Sequence, residues 1–570
     1  MRISRTLLGA IVGSTILATF ASGAAATAST TPGSRSTAST DYVVLYKSGV
    51  SPAKARADIA KAGGVVTQEN TKLGYAFVRS SSAGFAAAAA RAPSLDGAAR
   101  NQVIGEAPKQ SRARTDVVEK LPGDRAIKAA PGKDVKPAPR AASAIAPEPL
   151  ADRQWDMRQI GATPGGSYAK NQGAGVRVGI IDTGIDGSHP DIAANFNSAL
   201  SHNFVTDNPS IDGPCETANC VDPANVDDNG HGTHVASTVG APINGIGIAG
   251  VAPQVNLVNI RAGQDSGYFF LQPTLQALNY AGDIGVDVVN MSFYTDPWLF
   301  NCVNNPADSP AEQSEQRVIR TATQRALNYA LKHNVLPVAA EGNEATDLGK
   351  PTSDDTSPDF PAGAAKHRDI DNSCITVPTE SNGVVAISST GPSTRKAYYS
   401  NYGLEQTDVA APGGDAYDSP DNRLNEKNLI LAAYPANVAE ANGDLNPDGT
   451  PNTPFVIQDC QGSVCAYYQY LQGTSMASPH AVGVAALVVG SLGTADAANG
   501  GKTLDPRTTR ARLFSTAVAH ACPQPRLFHY KRIRSDGSVA EADHYCAGPI
   551  GKNGFYGNGI VNAYRAATAH

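Results

Sequence analysis

The stretch NGHGTHVAS, residues 229–237, sets His231 and His234 three positions apart, directly behind Asp227 and Asp228. On a helix, residues three apart share a face, so the two imidazoles could hold one metal or serve separate purposes a turn apart. Zinc would require the H-E-x-x-H spacing or a further strong ligand, and Asp227 and Asp228 are poor substitutes. Two other positions point to different chemistry: Asp182 in IIDTGIDGSHPDI, and Ser475 in LQGTSMASPHAVGVAALVVG. A serine hydroxyl is a weak nucleophile near neutral pH unless an imidazole takes its proton. That imidazole in turn needs a carboxylate to hold its tautomer and balance its charge. Asp182, His231 and Ser475 supply the three groups. Each has a plainer reading: a serine at a helix start is ordinarily an N-cap. D-T-G is also the signature of aspartic proteases, but those need two such carboxylates and this chain has a single D-T-G.

Such chemistry needs a rigid frame. From residue 151 onward, GVRVGIID (175–182), VNLVNI (255–260), VDVVNMS (286–292), VLPVAA (335–340) and VVAISS (384–389) read as strands buried on both faces. Between them, HGTHVASTVGA, PTLQALNYAGDIG and EQRVIRTATQRALNYALKHN read as helices. The alternation predicts an α/β fold, an open and mainly parallel sheet with helices on both faces and function at the carboxyl ends of its strands. Asp182 closes the first of those strands. Upstream, residues 41–104 read as a small α+β module with strands DYVVLYKSGV and GVVTQENTKLGYAFVRS around a helix SPAKARADIAKAG. Residues 105–150, rich in Pro, Ala, Lys and Arg without an aromatic, read as a linker open to proteolysis.

The 570 residues allow two or three domains. Residues 1–28 carry Arg2 and Arg5, an apolar stretch, then Ala26 and Ala28 in an A-x-A pattern, which predicts a secretory signal peptide and a secreted, extracellular protein. No later run reads as long enough to span a membrane, so no membrane association is expected after signal cleavage. Residues 29–150 hold 18 Lys+Arg against 10 Asp+Glu, whereas residues 151–570 hold 26 against 42. In an exported chain this asymmetry suggests mutual attraction of the two pieces rather than a nucleic-acid partner. All eight cysteines lie in the acidic part. The even number predicts disulfides, with Cys215/Cys220 and Cys460/Cys465 as local staples and Cys302/Cys374 and Cys522/Cys546 as the economical remainder.

In the order Asp, His, Ser, the segments DTGID, HGTHVAS and GTSMASPH resemble the three signatures of the subtilisin family of serine endopeptidases, the subtilases. The resemblance implies a subtilisin-like catalytic domain over 151–570, with Asp182, His231 and Ser475 as catalytic triad, and His234 as a packing residue. AAEGNE (339–344) looks like the loop whose asparagine, here Asn343, joins the Ser475 backbone N–H in the oxyanion hole. Ser292, Phe293 and Tyr294 on one side, and Ala340 and Gly342 on the other, match substrate-lining strands. Asp191 and Asn244, with the carbonyls of Ile246 and Ile248, match ligands of a structural calcium ion. The closing YGNGIVNAYRAA is similar to the end of the family's catalytic domain. Residues 29–104 look like an inhibitory propeptide and 105–150 like a linker with the processing region. The implied partners are protein or peptide substrates and the chain's own propeptide, on a monomer. This chain departs from the family in three places: the bulky Phe293-Tyr294, with an insertion containing Cys302, implies a narrower primary pocket; Glu341 replaces a small residue; and Glu344 either favours basic substrate residues or is a solvated loop charge. A fold kept only as a secreted binding scaffold is the non-enzymatic rival, and the complete triad argues against it.

Overall fold

The structure is a computed structural model that describes residues 39–101, 145–361 and 363–569. The expected signal peptide and nearly all of the expected linker lie outside the described residues.

Residues 40–100 fold as the expected α+β module: β1 (Thr40–Tyr46), α1 (Pro52–Lys61), β2 (Val65–Asn70), β3 (Tyr75–Ser80), α2 (Phe85–Arg91) and β4 (Leu95–Arg100). The strands form an antiparallel sheet in the order β2-β3-β1-β4. Side chains alternate across a strand, so one sequence serves two faces. Tyr42, Val44 and Tyr46 pack with Ile59 and Phe85 of the module's own helices, while Val43, Leu45, Tyr75 and Phe77 face the rest of the chain.

The larger part begins with α3 (Trp155–Ile160) and continues through β5 (Arg177–Ile181), β6 (His202–Asn203), α4 (His231–Gly240), β7 (Asn256–Arg261), α5 (Leu271–Asp283), β8 (Val288–Met291), α6 (Pro310–Lys332) and β9 (Leu336–Ala340). With β10 (Val385–Thr390) and β11 (Val409–Pro412), seven strands lie parallel in the order β11-β10-β9-β8-β5-β7-β6. Period-2 alternation builds a core on each side of this sheet. Val178, Ile180, Val288 and Val338 meet α4 and the helix α7 (Thr474–Leu492); Ile181, Val258, Val289 and Met291 meet α5 and α6. The five expected strands are present, each within two residues of its predicted bounds. The short edge strands β6 and β11 have too little sequence for a period to register.

A three-stranded antiparallel sheet, β12 (Ile430–Tyr434), β13 (Val456–Gln461) and β14 (Val464–Leu471), in the order β12-β14-β13, precedes α7. By length and composition α7 could cross a membrane, contrary to the expectation that no later run could. It is instead the central helix of the first core, buried from Thr474 to Gly490. All four expected disulfides are formed: Cys215–Cys220, Cys302–Cys374, Cys460–Cys465 and Cys522–Cys546.

Candidate active site

Asp182 follows the last residue of β5, and its carbonyl accepts the N–H groups of Ala262 and Gly263, both at 3.0 Å, just past β7. The loop before α4 is organised by Asp227, whose carboxylate accepts from Thr183 Oγ1, Asn229 N, Gly230 N, Thr233 N and Thr233 Oγ1 at 2.6 to 3.2 Å. Gly232 lets the first turn of α4 press against the D-T-G loop: a Cβ there would lie 2.0 Å from the Gly184 carbonyl oxygen. This close approach brings His231 Nδ1 to 2.6 Å from Asp182 Oδ1. Burial pushes the Asp182 carboxyl up from its ordinary pKa, and His231 pulls it back.

Ser475 occupies the first turn of α7, whose N–H groups have no acceptor within the helix and so point outward as donors. Its hydroxyl donates to the Ser292 carbonyl at 3.3 Å, and Ser292 Oγ donates back to the Ser475 carbonyl at 3.0 Å. Ser475 is thereby tied to the end of β8. Asn343, past β9, turns its amide oxygen to Thr474, accepting from Thr474 N at 2.9 Å and Thr474 Oγ1 at 3.0 Å. Gly342 N donates to Thr474 Oγ1 at 2.9 Å, so the loop and the start of α7 hold each other. Asp182, His231, Ser475 and Asn343 are the residues singled out from the sequence; Asp227 and Thr474, which organise the loops around them, were not, and their only signal was their place beside or within the motifs.

His234, one turn beyond His231, is fully enclosed, and its Nε2 lies 3.2 Å from Ile430 O and 3.1 Å from Gln469 O. Burial drives its pKa down to about 3, so it stays neutral and pins α4 to β12 and β14. This is the packing role expected of it.

The expected cleft walls differ in detail. Phe293 is buried and stacks flat on Phe269, ring centroids 4.1 Å apart. Tyr294 is held by a 2.6 Å hydrogen bond to Asp359 Oδ2. Ala340 is buried and its carbonyl accepts from Thr379 Oγ1 at 2.7 Å. Glu341 is wholly buried, with burial pushing its pKa well up, so it offers a substrate no charge. Glu344 stays exposed, its carboxylate accepting from Asn401 Nδ2 at 2.6 Å.

The expected calcium ligands gather at one loop, 244–248. Ile248 N and Tyr468 OH donate to Asp191 Oδ2 at 2.8 and 3.0 Å, and Ile246 N donates to Asn244 Oδ1 at 3.1 Å. Asp191 Oδ1 is sealed from solvent with no hydrogen-bond donor. Glu148, which sequence reasoning did not single out, joins the same loop by accepting from Gly245 N at 2.7 Å. Two carboxylates, a carboxamide oxygen and loop carbonyls are a hard oxygen set that fits calcium.

The subtilase family model matches residues 173–559. Subtilisin DY of Bacillus licheniformis is 29% identical over 351 residues, spanning 61% of this chain and 85% of that protein. Thermitase of Thermoactinomyces vulgaris is 27% identical over 340 residues, spanning 60% of this chain and 83% of its own. Among solved structures, the epidermin leader peptide processing serine protease of Staphylococcus aureus superposes with a TM-score of 0.59 at 21% identity, covering 93% of this chain and 98% of that one, which supports the shared fold. The match over residues 173–559, carried on a seven-stranded parallel sheet, places the chain in the subtilase family, and it is a subtilisin-like serine protease.

Proposed function

We propose that the protein is a secreted endopeptidase that hydrolyses peptide bonds in proteins through an acyl-enzyme, and that it is made as a self-processing zymogen. The observation that carries this reading is the 2.6 Å bond between buried Asp182 and His231, in a chain that also holds Ser475 in the first turn of α7. In the reaction the Ser475 hydroxyl exchanges its bond to Ser292 O for one to His231, which takes its proton as Oγ attacks the scissile carbonyl. Asp182 holds His231 in the productive tautomer and balances the imidazolium. The Asn343 amide and the Ser475 N–H receive the oxyanion. His231 then returns the proton to the leaving amine, and a water molecule, deprotonated by His231, hydrolyses the ester. Calcium held by Asp191, Asn244, Glu148 and the carbonyls of Ile246 and Ile248 would supply structural cross-linking, with no part in bond cleavage.

Residues 29–104 act in this reading as a propeptide removed by cleavage within 105–150. Support comes from the docking of the module on α5 and α6. Tyr75, Phe77 and Ala99 join the core of Val318, Ile319 and Ala322, Arg325 Nη1 donates to the carbonyls of Tyr46, Leu73 and Gly74 at 3.0 to 3.2 Å, and Asn101 exchanges two hydrogen bonds with Gln272 at the start of α5. Glu148 and Leu150 are bonded to the 245–247 loop, which favours cleavage ahead of them.

Labelling by a fluorophosphonate tests the reading: the processed protein should be modified at Ser475 with loss of peptidase activity. Activity that survives stoichiometric labelling, or labelling elsewhere alone, would overturn it.

A further inference from the structure

Asn401, in the connection between β10 and β11, is completely buried. Its side chain is directed at one loop. Oδ1 accepts from Glu344 N at 3.2 Å and from Thr346 N at 2.8 Å, while Nδ2 donates to Glu341 O at 2.9 Å and to Glu344 Oε2 at 2.6 Å. A carboxamide offers two acceptor sites and two N–H groups, so its hydrogen-bonding capacity is filled by residues 341–346. The main chain follows the same course. Asn401 N donates to Gly342 O at 3.0 Å, Ala345 N to Tyr399 O at 2.7 Å and Tyr402 N to Thr346 O at 3.0 Å.

The loop held in this way carries Asn343, and two of its residues lie in the left-handed region, Gly342 at a φ of +101° and Ala345 at 59°. A residue with a Cβ keeps such a conformation only where its surroundings impose it. Those surroundings are Thr474 of α7 on one side, bonded to Gly342 N and Asn343 Oδ1, and Asn401 on the other. The contact is close: a Cβ at Gly342 would lie 2.5 Å from Asn401 Nδ2. Asn401 is itself fixed from behind. Buried Lys396 donates through Nζ to Ser400 O at 2.7 Å and to Ala397 O at 2.9 Å, under the rings of Tyr402 and Phe555, and Ser400 Oγ donates to Asn401 O at 2.8 Å.

We infer that Asn401 is a positioning residue for the oxyanion hole: by clamping residues 341–346 it sets where the Asn343 amide stands when negative charge develops on the substrate carbonyl. This rests on the proposed role of Asn343 as an oxyanion donor. Asn401 touches neither the substrate nor the reacting atoms and acts through the loop alone. A donor stabilises a transition state best when it needs no rearrangement at the moment of reaction, and a misplacement of about 1 Å can cost about 10²-fold in rate. Loss of the clamp therefore slows turnover and leaves ground-state substrate binding nearly unchanged.

The test is a double-substitution cycle on enzyme produced from the full chain, with kcat and KM for a peptide substrate referred to active sites counted by fluorophosphonate titration. Asn401→Ala should lower kcat about 10- to 100-fold and change KM less than about threefold. In the Asn343→Ala background the same substitution should lower kcat less than about threefold, because no amide remains to be placed. A residue that serves stability alone would lower the melting temperature and leave kcat per titrated site unchanged, or lower it by one factor in both backgrounds. Either result would overturn the inference. Asn343→Ala measured alone separates the two claims. If it leaves kcat within about threefold, the oxyanion role of Asn343 fails and the inference falls with it; if it is costly while Asn401→Ala is not, only the inference fails. Should Asn401→Ala not accumulate, Asn401→Asp carries the same comparison, since it keeps the size and the acceptor oxygen and loses both donors.

Discussion

Asp182 is shut off from water and accepts from His231 Nδ1 and from Thr183 N at 2.8 Å, so it can be ionised only while its imidazole partner is in place. Asp182→Asn keeps the shape but presents an N–H to the wrong ring tautomer, and kcat should fall about 10⁴-fold with the fold intact by circular dichroism. Ser475→Ala should cost at least ~10⁴-fold, and the full precursor should persist on gels. For Asn343→Ala the expected loss is about 10²- to 10³-fold, in kcat more than in KM, because the amide acts on charge that develops only in the transition state. Asp287, before β8, illustrates a buried acid outside the site: it accepts from Arg177 N at 2.9 Å, and burial raises its pKa to about 7. Its unfolded value is about 3.9. A raised carboxyl pKa means the folded state holds the proton more tightly, so this contribution to stability is complete below about pH 4 and lost as pH rises through 7. Melting temperature measured from pH 4 to 8 should therefore fall less in Asp287→Asn than in the parent.

The elements meet where the chemistry is, and one buried pair joins two of them. His480 in α7 lies 2.9 Å from Asp156 Oδ2 in α3 and 2.8 Å from Met476 O, one residue after Ser475. Removing one partner of a buried pair leaves the other uncompensated, typically a loss of about 3–5 kcal/mol. Asp156→Ala in the Ser475→Ala background should lower stability by that order in urea titration. With Ser475 present, the remaining folded enzyme should keep its kcat within a few-fold, since Asp182 and His231 are untouched. The strand segments were legible because burial on both faces gives each a continuous apolar run, and α4 and α7 were legible through their motifs. The stacking of Phe293 on Phe269 was not legible, because the partner comes from a different strand-end loop.

For the molecule as a whole, the opposite net charges of the two pieces suggested electrostatic docking, but the contact face is organised differently. Arg325 of the larger part pairs with Asp96 of the module at 3.3 Å, and Glu315 with the module's Arg100 at 3.7 Å, so the ion pairs run in both directions around an apolar centre. Gly97 lies flat on α6: a Cβ would come 2.7 Å from Ser314 Oγ and 3.0 Å from Val318 Cγ2, at a φ of +152°. Gly97→Leu should therefore weaken docking strongly, read as a lower yield of folded, processed enzyme from the full chain. Raising NaCl from 0.1 to 0.5 M should change that yield little, because salt screens exposed pairs and leaves apolar contact intact. Chelation should lower the melting temperature, since an ion bound only by the folded state stabilises it by mass action; an unchanged melting curve after verified calcium removal would count against calcium at the Asp191 loop.

What the sequence by itself determined is local: strand periods, helix starts, and three motifs whose residue types admit one efficient chemistry. The fold class followed from those, and so did the groups proposed as nucleophile, base and carboxylate. Tertiary structure alone decided which distant groups complete each other. His480 and Asp156 are 324 positions apart, Glu148 meets a loop 97 residues away, and buried Arg261 pairs with Asp207 and Asp222 ahead of α4 and with Asp265 behind it. Periodicity and capping act over a few residues, whereas a buried charge is balanced by whatever the completed fold brings within a few ångströms, and nothing in the linear pattern records that distance.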